Sequence, residues 1–170
     1  TIGLPLPSTE MSIQDDKGKI LSAEKVGEIC IRGPQVMRGY WNNAKDTKNA
    51  LTKDGWFKTG DIGKMRKDGY FQIVDRKKDM IIVSGFNVYP SDIEEIAMQH
   101  QKILEAGCIG VSGNNGQELV KLFVSVVEGE TITKDEILEH CRNNLTAYKV
   151  PKLLEIVDEI PTVSYTHLTL

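Results

Sequence analysis

The sequence of 170 residues predicts an α+β chain in two parts: a small β-rich first part, then a compact mixed α/β unit with a short sheet and flanking helices. Three observations predict it. Apolar residues up to Val83 alternate with polar ones or gather in short β-branched runs, as strands require. Glycine-bearing turn signals separate those runs. Helical spacing and helix-start signals become prominent only from Pro90 onward.

In the first part, Ile29 and Ile31 alternate with Glu28, Cys30 and Arg32, the period of a half-buried strand. Asp16-Lys17-Gly18 and Asp68-Gly69 are turn signals, because tight hairpin turns need positive φ and glycine supplies it without steric cost. The second joins Ile62–Arg66 to Tyr70–Val74 as a hairpin. Ala44 to Leu51 predict a short helix between strands. A charged run, Asp75-Arg76-Lys77-Lys78-Asp79, then interrupts two apolar stretches and marks a boundary. In the second part Met80–Val83 predicts a strand. Pro90 opens a helix, with Ile93, Ile96, Ala97 and His100 on one face. Strands follow at Cys108–Val111 and Leu119–Glu128, separated by a turn at Gly113-Asn114-Asn115-Gly116. Thr133 with Glu136 three residues later is a capping box, and it starts a helix bearing Ile137, Leu138, Cys141 and Leu145. Leu153–Val157 predicts a last strand. The predicted order of this part is strand, helix, strand, strand, helix, strand.

Composition excludes several function classes. A formal net charge of −3 offers no basic face for nucleic acid phosphates. Cys30, Cys108 and Cys141 are odd in number and match no metal spacing or disulfide framework, so they read as reduced thiols in a cytoplasmic protein. No apolar run approaches the roughly 20 residues that a membrane helix needs. The first residues, Thr1-Ile2-Gly3-Leu4-Pro5, have neither initiator methionine nor signal-peptide character, and the chain reads as a piece that begins partway through a larger protein.

Two clusters carry chemistry. In Lys58-Thr59-Gly60-Asp61 a glycine beside an acid lets a carboxylate come close to a ligand, where it can accept hydrogen bonds from paired sugar hydroxyls. The commoner reading of Thr-Gly-Asp is a simple turn. The second cluster is the charged run followed by Ser84-Gly85-Phe86-Asn87. Arg76 offers a planar fork for multi-point hydrogen bonding, its neighbours a swivel, and Gly85 a backbone that a narrow ligand can pass closely. The plainer reading of five consecutive charges is a solvated connection.

Three segments resemble the adenylate-forming (AMP-binding) superfamily of acyl-CoA synthetases, luciferases and peptide-synthetase adenylation domains. They are Gly27-Glu28-Ile29-Cys30-Ile31-Arg32-Gly33-Pro34 through Gly39-Tyr40-Trp41, then Trp56-Phe57-Lys58-Thr59-Gly60-Asp61, then Asp75 through Pro90. The likeness runs from Thr1 to about Pro161. The third segment and Leu145 through Lys152 look most like bacterial long-chain fatty acid–CoA ligases. The resemblance implies that residues 1–76 are the β-rich end of a large AMP-binding domain and 77–161 a mobile carboxy-terminal domain. It implies a two-step reaction: a fatty acid attacks ATP to give an acyl-adenylate and pyrophosphate, and coenzyme A then displaces AMP. Asp61 and Arg76 match the nucleotide-binding positions on the ribose, Lys78 the hinge, and Gly85 the coenzyme A-binding glycine beside the pantetheine tunnel. Trp56 and Tyr40 are expected to serve packing. His100, His140 and His167 map to no catalytic role.

ATP, coenzyme A and Mg2+ are the implied ligands, the magnesium-positioning residues and the phosphate loop lying upstream of Thr1 in family members. No metal ligand is assigned here. Leu168 falls where the family carries its adenylation lysine, so residues 162–170 are expected to be an atypical, foreign tail, and no catalytic residue is assigned. The implied partners are ATP or AMP, coenzyme A and a fatty acid, with no nucleic acid. Peripheral membrane contact and self-association through an exposed strand edge are further expectations. Competing readings are a non-catalytic nucleotide-binding or interaction module, and a piece of an aryl-CoA ligase or peptide-synthetase adenylation domain. The purified 170-residue chain is expected to form no acyl-CoA from ATP, oleate and coenzyme A, and turnover in that assay would overturn the reading.

Overall fold

The computed structural model describes residues 1–113 and 116–161, which form two compact units meeting between Lys78 and Asp79. Asn114 and Asn115 of the expected turn lie outside the described residues, as do 162–170 with His167 and Leu168.

The first unit is a four-stranded antiparallel sheet, β1 (Glu10–Gln14), β2 (Val26–Arg32), β3 (Phe57–Met65) and β4 (Phe71–Arg76), in that order. A short helix, α1 (Ala44–Ala50), lies in the long connection from β2 to β3, with Asn43 Oδ1 accepting from the Asp46 amide at its start. Side chains alternate across a strand. One face therefore carries Ile13, Ile29 and Phe71, all buried, with Met11, Leu21, Ile31 and Met65 around them. The opposite face departs from the sequence reading of a half-buried strand. Glu28 and Cys30 are buried as well, so β2 is covered on both sides. Buried polar groups must find partners; accordingly Gln14 Nε2 donates to Ser12 Oγ at 2.9 Å on this face.

The β3–β4 hairpin closes as the sequence predicts, with Gly69 N donating to Arg66 O at 3.0 Å. Next to this turn Ile2 N donates to Phe71 O and Phe71 N to Gly3 O, so the first residues pair with the start of β4. The charged run is not one solvated connection. Asp75 and Arg76 complete β4, and only Lys77–Asp79 form the connecting 3-10 turn.

In the second unit the apolar run before Pro90 is a hairpin rather than a single strand. β5 (Ile81–Val83) and β6 (Phe86–Val88) are joined by Ser84 and Gly85, with φ of 51° and 84°. Positive φ at both central residues is the primed turn whose twist suits adjacent strands, and this demand alone accounts for glycine at 85. The elements that follow are α2 (Pro90–Met98), β7 (Ile103–Ser112), β8 (Glu118–Val126), α3 (Lys134–Asn144) and β9 (Leu153–Ile156). β7 and β8 are antiparallel, while β9 runs parallel to β8 and needs α3 as its crossover. Ile93 and Ala97 of α2 and Ile137 and Cys141 of α3 pack with Leu122 and Val124 of β8, all fully buried.

The capping box is present in both directions. Thr133 Oγ1 accepts from Glu136 N at 3.2 Å, and Glu136 Oε2 accepts from Thr133 N at 2.8 Å. The Thr133 amide, together with the Thr133 hydroxyl donating to the same Oε2 at 2.9 Å, holds the Glu136 carboxyl below the usual glutamate range. Thr133→Ala is expected to destabilise the second unit by about 1 kcal/mol, read as a lowered denaturant midpoint.

Candidate functional site

The candidate site is built on an irregularity in β3. Glu28 pairs with Ile62 and Cys30 with Lys58, so Ile29 alone stands opposite Thr59, Gly60 and Asp61. Extra residues in one strand bend it and redirect its side chains. The Thr-Gly-Asp segment is thus a bulge inside a strand, where the commoner sequence reading was a turn. Thr59 holds the bulge: its Oγ1 donates to Ile29 O at 2.8 Å and accepts from Asp61 N at 3.1 Å. Gly60 takes φ of 76° at the apex, a left-handed conformation that costs L-residues energy.

The neighbouring pairing brings the two predicted nucleotide residues together. Asp61 and Arg76 are direct cross-strand partners on β3 and β4, and Arg76 Nε lies 3.0 Å from Asp61 Oδ1. That oxygen is buried and receives no hydrogen bond of good angle, so the contact is a Coulombic pairing. The Asp61 side chain is 22% exposed and that of Arg76 61%, which leaves the outer part of the guanidinium fork toward solvent. A carboxylate accepts from hydroxyl donors and a guanidinium donates to oxygen, so together they suit a ligand that presents adjacent hydroxyls.

A second group of charges binds the residues next to the pair. The Glu28 carboxylate, with its side chain only 9% exposed, accepts from Gly60 N at 3.2 Å and from Lys77 Nζ at 2.9 Å. Lys77 also reaches Asp16 Oδ1 at 3.0 Å. Burial alone would lower the Lys77 value, but its bonds to Glu28 and Asp16 outweigh that and hold the ammonium above the ordinary lysine range. The stability this shift contributes is present at neutral pH and is lost only as alkaline pH passes the folded value. Beside Glu28, burial together with its negative charge pushes the Cys30 thiol up to about 11, so Cys30 is a protonated core thiol. Lys58, Lys77, Glu28, Tyr40 and Gly60 line an open hollow of about 480 Å3.

The remaining predicted residues are placed elsewhere. Lys78 is the last residue of the first unit, in the 3-10 turn. Gly85 lies in the β5–β6 turn of the second unit, where an added Cβ would meet nothing within 4 Å. Trp56 is buried with the Arg32 guanidinium 4.6 Å from its ring centre, the packing role expected. Tyr40 is not packed: it is 47% exposed at the rim of the hollow. His100 and His140 meet edge to face at 5.2 Å, and His140 Nε2 donates to Ile96 O at 2.8 Å. Among the described residues no group of three or more His, Cys, Asp or Glu is arranged to hold a metal ion, and no helix is long and apolar enough to cross a membrane.

Sequence reasoning missed Glu28, Lys77 and Asp16. The alternation around Ile29 placed Glu28 outward with Cys30, and cysteine at a nominally outward position was the available signal of a second buried face. Gly60→Ala is expected to cost about 1–2 kcal/mol through its left-handed backbone. The added methyl group would meet nothing within 4 Å, so equilibrium denaturation would read conformational strain and not a clash.

Known proteins resemble this chain in sequence and fold. Residues 1–41 match the family model described as AMP-binding enzyme, and residues 92–164 match that of the AMP-binding enzyme C-terminal domain. The chain is 53% identical over 161 residues to a long-chain-fatty-acid–CoA ligase of Yersinia pestis, covering 95% of this chain and 28% of that protein. It is 42% identical to a long-chain-fatty-acid–CoA ligase of Bacillus subtilis, covering 95% of this chain and 29% of the relative. Among solved structures, ATP-bound MatB from Rhodopseudomonas palustris superposes with a TM-score of 0.89 at 36% identity, over 95% of this chain and 32% of that one. The chain thus spans under a third of the length of these relatives. It belongs to the family of AMP-binding, adenylate-forming enzymes.

Proposed function

We propose that the chain is the carboxy-terminal part of a long-chain fatty acid–CoA ligase, and that Asp61 and Arg76 hold the ribose of the adenosine nucleotide. The observation that carries this reading is the ion pair between them, formed across β3 and β4 at the bulge. In this reading the Asp61 carboxylate accepts from the two ribose hydroxyls. Arg76, kept beside Asp61 by the ion pair, turns its outer N–H groups to the same sugar. Two fixed groups on adjacent strands orient the nucleotide at little entropic cost at the moment of reaction.

The parent reaction joins a fatty acid to coenzyme A through an acyl-adenylate, releasing pyrophosphate and AMP. Its fatty-acyl specificity is supported by the similarity to ligases of that name. Lys78, at the end of the first unit, is the hinge about which the second unit turns between the two steps. A few residues at an element end suffice to absorb such a change. Gly85 lies beside the path of the coenzyme A pantetheine arm. Magnesium would accompany ATP, but no described cluster fits the ion and no step is assigned to it. Use of ATP and coenzyme A supports a cytoplasmic activity.

Melting of the purified chain with and without millimolar AMP tests the ribose site. A ligand at ten times its Kd stabilises the native state by about 1.4 kcal/mol, a rise of a few degrees in a protein of this size. The rise is expected in the native chain and should vanish in Asp61→Ala. An equal rise in both proteins would overturn the assignment.

A further inference from the structure

We infer that Glu28 is a positioning residue that sets the distance between Asp61 and Arg76 by binding the residue next to each. This deepens the ribose-site reading and rests on it. The two groups that Glu28 holds belong to different strands. Gly60, whose amide donates to Oε1 at 3.2 Å, immediately precedes Asp61 on β3. Lys77, whose ammonium donates to Oε2 at 2.9 Å, immediately follows Arg76 at the end of β4. One nearly buried carboxylate on β2 therefore ties together the residues flanking the Asp61–Arg76 pair on both strands.

Each of these places needs the tie. The bulge sets three residues of β3 against Ile29 alone, so the ladder cannot satisfy all their amides. Thr59 Oγ1 takes the amide of Asp61, and Glu28 takes that of Gly60. Regular strand pairing ends at Arg76, after which the chain turns away at Lys77–Asp79. There Lys77 is held between Glu28 and Asp16, the latter at 3.0 Å. The Asp61–Arg76 contact itself lacks a well-aligned hydrogen bond, so that pair does not fix its own geometry. Its register is imposed by its neighbours.

The chemistry of Glu28 is specific to this task. A carboxylate has two acceptor oxygens and no donor, so it can serve an amide and an ammonium at once. Glutamine keeps the shape but has one acceptor, and its NH2 group would face either Gly60 N–H or the Lys77 ammonium. Glu28→Gln therefore breaks one of the two ties whichever way it turns. Lys77→Met breaks the β4 tie alone.

Backbone amide exchange and AMP titration, followed by NMR on the 170-residue chain, test this together. Glu10→Gln, which removes an exposed ion pair with Arg32 in the same unit, is the control. In Glu28→Gln the amides of Gly60, Asp61 and Arg76 are expected to exchange at least tenfold faster, while those of Ile13, Ile29 and Ile31 keep their rates. Lys77→Met should loosen Arg76 more than Gly60. AMP affinity per folded molecule should fall at least fivefold in both variants and stay unchanged in Glu10→Gln. Exchange at Gly60 and Arg76 that is unchanged, or raised equally across the whole sheet, would overturn the positioning role. So would unaltered AMP affinity in Glu28→Gln. If the native chain binds no AMP, the ribose-site reading fails by itself, and the exchange rates still decide whether Glu28 orders the two strands.

Discussion

Three residues of β3, Thr59, Gly60 and Asp61, must fit opposite the single residue Ile29 of β2, and the first unit is organised around that mismatch. The excess chain cannot stay in the plane of the sheet, so it bows out and carries Asp61 with it. Bowing strips the segment of its ladder bonds. A hydroxyl from Thr59 and a carboxylate from Glu28 replace them, which requires both groups to be where water is scarce. The burial of Glu28 follows from this, and Lys77 follows from Glu28, since a nearly buried carboxylate is costly unless paired. The charges around the candidate site thus form one chain of consequences that begins in backbone register.

The second unit obeys a different constraint. Its core is conventional, with two helices laid on a three-stranded sheet and, among the described residues, the fully buried ones all apolar apart from Ser125. What is particular is the connection before it. Between Asp79 and Pro90 the chain reverses tightly through Ser84 and Gly85, both in left-handed conformations. Ser84 tolerates this at some cost, while Gly85 bears none. A glycine that a turn demands is also one whose backbone a ligand can approach, so the turn and the proposed coenzyme A role are compatible uses of one residue.

The proposed mechanism asks little chemistry of these residues and much geometry. In the proposed role Asp61 and Arg76 neither transfer a proton nor attack; they would orient a sugar. Binding groups of that kind work through orientation, so the residues that support them matter as much as the groups themselves. The separation of the two units at Lys78–Asp79 places this support in the first unit and the glycine turn in the second.

Much of this was legible in the residues. Period-two alternation, Asp68-Gly69, Pro90 and the Thr133–Glu136 box are local signals, each enforced by φ, by a missing N–H or by a bond spanning three residues. The elements they predict are present, with ends shifted by a few positions. The likeness of three short segments to adenylate-forming enzymes points to Asp61 and Arg76 from the sequence alone. The hairpin inside Ile81–Val88 was not legible, because Ser84-Gly85 is a weak turn signal and both short strands read as one apolar run. Nor was the second buried face of β2, since alternation assigns one side to water unless a second layer covers it. The bulge, the pairing of Asp61 with Arg76 and the bridging role of Glu28 belong to tertiary structure alone. They depend on which residue of one strand faces which residue of another, across separations of some fifteen to fifty positions. Local preference acts over a turn or two of chain, so the sequence by itself determined the elements and the family, and strand register decided how the site is assembled.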